Sequence, residues 1–84
     1  SSKALDPAAS AIAQEEAELL NRTLTSLPLP YREPLVLYYR EQQSIARVAQ
    51  LLDLPSNTIK QRLARGRALL RSELESIVER ELLR

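Results

Sequence analysis

The stretch Ser44–Arg71, SIARVAQLLDLPSNTIKQRLARGRALLR, constrains this chain more than any other. Ile45, Val48, Ala49 and Leu52 recur at three- and four-residue steps, the period of one helix face. Asp53-Leu54-Pro55 interrupts the pattern, and a Pro disfavours α geometry in the residue before it. A second helical pattern resumes near Ser56, with Ile59, Leu63, Gly66 and Leu70 on one face. Two helices joined by a turn of a few residues make a helix-turn-helix.

The far face of that second helix is of another kind. At about 100° per residue, Asn57, Gln61, Ala64, Arg65 and Ala68 lie opposite Ile59. Lys60 stands on their shoulder, and Arg62 and Arg67 on the flanks. Lys60, Arg62, Arg65, Arg67 and Arg71 are all basic, and no acid lies between Leu54 and Ser72. An ordinary solvated helix mixes signs to gain i,i+4 pairs. A one-signed face directly after a helix-turn-helix break points instead to a polyanion, and in DNA-binding examples the second helix enters the major groove.

Net charge is only +1 over 84 residues, but it is unevenly spread. Residues 1–28 carry −2, 29–53 balance, 54–72 carry +5 and 73–84 carry −2. A focused patch matters more to a polyanion than the total does. The only aromatics are three Tyr, and there is one Gly, so the expected class is all-α with a core of Leu, Ile, Val and Ala. With no Cys and no His, disulfides, Cys/His zinc sites, thiol catalysis and a Ser-His-Asp triad are out of reach. No Gly-rich phosphate loop and no carboxylate pair with catalytic or metal spacing is present, so neither an enzyme nor a cofactor is expected. No apolar run approaches the roughly 20 residues that span a membrane. The chain has no Met, and is read as a piece of something longer with Ser1-Ser2 a cloning remnant.

The rest of the chain completes a four-helix domain over residues 6–84, with 1–5 as a linker and the helix-turn-helix at 44–71. Asp6-Pro7 reads as a helix start. Helix 1 is expected from Pro7 to Thr25. Its stripe of Ile12, Leu19, Leu20 and Leu24, with Ala9, Ala13 and Ala17, is expected to pack in the core, a partner-binding face being the alternative. Leu27-Pro28-Leu29-Pro30 breaks it. Helix 2 is expected from Pro30 to Arg40, with Leu35, Leu37 and Tyr38 or Tyr39 inward and a slight kink at Pro34 if it starts earlier. Ser44 is a good N-cap for helix 3, Ile45 to Leu52. Helix 4 shows no stop signal before Arg84, giving a long C-terminal recognition helix of about 29 residues. Its distal Leu74, Ile77 and Val78 need cover from helix 1, another subunit or a further segment.

The ordered set Leu27-Pro28, Tyr31-Arg32-Glu33-Pro34-Leu35-Val36-Leu37, Tyr39, Ser44, Val48-Ala49, Leu51-Leu52, Leu54-Pro55, Thr58-Ile59-Lys60, Arg62-Leu63-Ala64-Arg65-Gly66-Arg67 and Leu69-Leu70 resembles the C-terminal DNA-binding domain, region 4, of bacterial sigma factors of the extracytoplasmic-function group. Two departures stand out: Ala46-Arg47 where many members carry two acids, and Asp53 in place of the common turn Gly. The resemblance implies sequence-specific binding of the upstream promoter element, directing RNA polymerase to start transcription. It implies base contacts from Lys60, Gln61, Ala64 and Arg65. Phosphate contacts are expected from Asn57, Thr58, Arg62 and Arg67, and from Ser44 and Ile45 at the start of helix 3. It also implies double-stranded promoter DNA, the flap region of the polymerase core and an anti-sigma factor as partners, in the bacterial cytoplasm. Two other readings compete: a response-regulator-type helix-turn-helix that dimerises through its last helix, and a helical interaction module anchored by Leu74, Ile77 and Val78.

Overall fold

A computed structural model describes residues 7–82, with side chains from Ser10 onward. The linker at 1–5, the Asp6 cap, the side chain of Ala9 and the last two residues lie outside that range. Four helices follow in order: α1 (Pro7–Ser26), α2 (Leu29–Leu35), α3 (Ile45–Leu52) and α4 (Ser56–Leu82), with a π-helical turn at Val36–Arg40. The all-α class and the helix-turn-helix arrangement stand as expected.

Each boundary has a local cause. The last turns of α1 carry Thr23, Thr25 and Ser26, whose hydroxyls donate back to the carbonyls of Leu19, Arg22 and Thr23, each at 2.7 Å. Such back-bonding competes with the helix ladder. The Arg32 guanidinium donates to the carbonyl of Thr25 at 3.0 Å, tying the end of α1 to α2. The α2 helix starts at Leu29 with Pro30 in its first turn, where a missing N–H costs nothing.

The second helix departs from expectation. Instead of one helix from Pro30 to Arg40, α2 stops at Leu35 and the chain widens into a π turn. Pro34 lies inside α2 and is buried. Its lack of an N–H and its ring both disturb the i→i−4 ladder, and π turns form where that ladder is disturbed. The wider winding persists to the end. Glu41 N–H donates to Val36, five residues back, and Gln43 N–H to Leu37, six back, each at 3.0 Å. Gln42 takes the left-handed conformation, φ 56°.

The α3 helix begins as expected: the Ser44 hydroxyl accepts from the Arg47 N–H at 3.1 Å. It ends in a Schellman arrangement, with Leu54 N–H donating to Ala49 at 3.0 Å and Asp53 N–H to Gln50 at 3.3 Å. Asp53 holds the left-handed position, φ 54° and ψ 50°. Asp tolerates that conformation better than most side chains, though less well than Gly. Pro55 then prevents α3 from continuing, and the chain restarts as α4.

The core is Leu24, Leu27, Leu35, Val48, Ala49, Ile59 and Leu63, edged by half-buried Leu37, Tyr38, Ile45, Leu52, Leu54, Leu69 and Leu70. Each fully buried aliphatic side chain contributes about 1.5–3 kcal/mol. The most extensive packing between helices is that of α2 on α4. A Cβ on Gly66 would lie 2.9 Å from Leu35 Cδ1, so the one glycine of the chain leaves the space that the Leu35 side chain fills.

Helix α1 corrects the sequence reading. Leu24 is buried and Leu19 half-buried, but Ala13 and Ala17 are exposed, Ile12 is 57% exposed and Leu20 42%. The expected core stripe therefore enters the core only in its last turns. The reason is reach: α1 is 20 residues long and packs chiefly along α4, so only its last turns arrive at the core shared with α2 and α3. The distal part of α4 behaves alike. Leu74 and Ile77 are half-buried, while Val78 is 49% and Leu82 77% exposed. Ile77 faces Leu19 and Arg22 of α1 across open clefts, so helix 1 supplies part of the expected cover.

Candidate nucleic-acid interface

The alternation of α4 builds two unlike faces on one rod. Ile59, Leu63 and Gly66 are buried against α2 and α3, and that burial fixes the rotation of the helix about its own axis. With the inner face seated, Asn57, Lys60, Gln61, Ala64, Arg65 and Ala68 have only the outward direction left, and all six are exposed. The four residues expected at base edges, Lys60, Gln61, Ala64 and Arg65, thus share one open surface. Two small residues, Ala64 and Ala68, stand among longer side chains there, letting a flat-edged ligand approach the helix backbone.

The electrostatics are one-sided. None of Lys60, Arg62, Arg65, Arg67 and Arg71 forms an ion pair among the described residues, where the ion pair present is Arg40 with Glu41 at 3.9 Å. Five cations within twelve positions are left to repel one another, a cost relieved by a nearby anion. No group of three His, Cys, Asp or Glu side chains positioned for a metal occurs among the described residues.

The six residues expected at phosphates are spread more widely. Asn57 is exposed at the start of α4, beside Lys60, Gln61 and Ala64, while Thr58 and Arg62 are half-buried on its flank. The Ser44 hydroxyl is already spent on capping α3. Ile45 is half-buried at the edge of the core, which leaves its backbone N–H as the group it can offer. Arg67 points elsewhere: its guanidinium donates to the Tyr39 hydroxyl at 2.8 Å, joining α4 to the π turn.

Two residues with no site role expected from the sequence also stand out. Arg47 stands in the first turn of α3, exposed, with Gln50 Oε1 at 3.3 Å as its side-chain partner. A cation there opposes the helix dipole, which was a signal available from the sequence. Tyr39, 52% exposed, packs edge-on against Tyr38 with ring centroids 4.9 Å apart and holds Arg67. Nothing in its sequence neighbourhood foretold a contact spanning 28 positions.

The family model for sigma-70, region 4, matches residues 17–70. The probable RNA polymerase sigma factor RfaY of Xanthomonas campestris pv. campestris is 43% identical over 68 residues, 81% of this chain and 17% of that protein. The ECF RNA polymerase sigma factor SigW of Bacillus subtilis is 30% identical over 71 residues, 84% of this chain and 38% of that protein. The chain thus spans well under half the length of either relative. The family match ends at residue 70, so the distal turns of α4 lie beyond it.

Proposed function

Because the chain belongs to the sigma-70 region 4 family, we propose that it is the promoter-reading C-terminal domain of a sigma factor of the extracytoplasmic-function group, acting with RNA polymerase in the bacterial cytoplasm. The α4 helix enters the major groove of the upstream promoter element. Arg65 and Lys60 pair with guanine edges, Gln61 with adenine, and Ala64 makes room or touches a thymine methyl. Asn57, Thr58, Arg62 and the backbone at Ser44 and Ile45 hold phosphates, which set register without carrying sequence information. Arg67, one terminal nitrogen of which is bonded to Tyr39, joins them through its remaining N–H groups. The polymerase flap region and an anti-sigma factor are the protein partners in this reading. It assigns the domain no catalytic step.

The observation that carries it is the unpaired basic face of α4, exposed by the burial of Ile59, Leu63 and Gly66 behind it. Selection of bound sequences from a random duplex pool, at two salt concentrations, tests it. The expected result is a short preferred element and an affinity that falls steeply with salt. On that element, Arg65→Ala loses about 1–3 kcal/mol and relaxes preference at one base position. Equal loss on scrambled DNA would remove Arg65 from base readout, and an unenriched pool would sink the reading.

A further inference from the structure

Outside the nucleic-acid face, two surfaces have complementary character. The first is an open groove of about 550 Å³ between α1, the π turn and α4. Leu20, Leu24, Leu35, Tyr39 and Leu70 line it, Arg40 and Arg67 border it, and no acid does. Neither guanidinium is well neutralised. Arg67 donates to an uncharged phenol, and Arg40 meets Glu41 at 3.9 Å with both side chains more than half exposed, a pairing worth little. The groove is therefore apolar within and cationic at its edge.

The second surface is the forward half of α1. Ile12 is 57% exposed, and Ala13, Glu15 and Glu16 are exposed around it. Ile12 and Glu16 are four residues apart and share a face, on which Glu16 is followed by Leu20. Neither Glu15 nor Glu16 has an ion-pair partner among the described residues. This is an apolar ridge carrying negative charge, the counterpart of the groove in both respects.

We infer that the groove of one copy of this chain receives the forward half of α1 from a second copy. Ile12 seats beside Leu20, Tyr39 and Leu70, the groove's accessible apolar side chains, and Glu15 and Glu16 face Arg40 and Arg67. An amphipathic helix in an apolar groove is an established mode of recognition. The exchange is reciprocal, each copy giving a helix and a groove, so the contact is isologous and closes at two. Other large apolar side chains are exposed as well, Leu29 on α2, Leu51 on α3 and the pair Val78 and Leu82 on α4. That pair is a poorer partner for its own copy: back-to-back pairing would crowd Glu75, Glu79 and Glu81 of both chains around one cation apiece, Arg80. The proposed pair closes the groove to any other protein while leaving Lys60, Gln61 and Arg65 open. It does not depend on the promoter reading.

Sedimentation velocity from about 10 μM to about 1 mM chain tests the inference. The expected result is a monomer–dimer equilibrium that weakens as salt rises from about 0.05 M to about 0.5 M. Ile12→Asp weakens it by about tenfold or more. Glu16→Arg and Arg67→Glu each give monomers, because each homodimer then opposes like charges. An equal mixture of these two variants restores a dimer, since both contacts across it regain opposite signs. Circular dichroism confirms that each variant keeps its helices. A monomer throughout the range, indifference to Ile12→Asp, or no recovery on mixing would overturn the inference. So would a dimer dissolved by Val78→Glu but not by Ile12→Asp, which would place the contact on the distal part of α4.

Discussion

Along α4 the inward-facing residue changes character with position. Ile59 is fully buried and Leu63 is 2% exposed, but Val78 and Leu82, on the same rod, are 49% and 77% exposed. Across from them the stripe of α1 changes in the same way, from buried Leu24 to Ile12 in solvent. Both ends obey a helical apolar period, and only one end finds a second layer to cover it. The helix-turn-helix half has α2, α3 and α4 converging on Val48, Ile59 and Leu63. The other half has two long helices meeting without a third. An amphipathic pattern reports a face that needs cover and is silent on whether the chain supplies it.

The contrast is broken most forcefully by truncating one apolar residue in each half. Ile59→Ala is expected to cost about 2–5 kcal/mol, enough to unfold a domain of this size, because its cavity opens where three helices meet. Ile12→Ala is expected to stay within about 0.5 kcal/mol. Urea unfolding followed by circular dichroism reads both, and equal losses would mean that α1 is covered along its length.

A smaller effect sharpens the packed side. Gly66→Ala would gain about 1 kcal/mol of helix propensity in an unhindered helix. Here its Cβ meets Leu35 Cδ1 at 2.9 Å, and Leu35, 1% exposed, has nowhere to swing. Overpacking of about 1–3 kcal/mol outweighs the gain, for a net loss of about 1 kcal/mol in thermal or urea unfolding. A stabilised Gly66→Ala would show that α2 yields easily.

The smallest expected effect concerns the joints of the platform. Gln42 and Asp53 both hold left-handed φ values that favour Gly. Gln42→Gly is expected to stabilise by about 0.5–1 kcal/mol and Asp53→Gly by less, since Asp already tolerates that region. Comparing their unfolding midpoints checks the order; the reverse order would mean that the Gln42 side chain contributes a contact worth more than its strain.

The readable parts of this chain were those with short-range causes. The break at Asp53–Pro55, the Ser44 cap and the end of α1 before Pro28 depend on residues within a turn of one another. The exposed set Lys60, Gln61, Ala64 and Arg65 was legible because burying Ile59 and Leu63 leaves its members one direction. The π turn was not legible, because Pro34 says only that the ladder is disturbed and not how the chain resumes after it. Likewise, Ile12 and Leu24 sit on equivalent stripes, and their different burial comes from the length of α1 beyond the platform.

By itself, then, the order of residues determined where helices start and stop, which face of each is apolar and where positive charge gathers, since all three follow from the stereochemistry and spacing of neighbours. Tertiary structure alone decided which apolar faces are covered, which arginine is held by a distant tyrosine and how tightly Leu35 packs on Gly66. These depend on segments far apart in the chain arriving at one place, and no local pattern encodes that meeting.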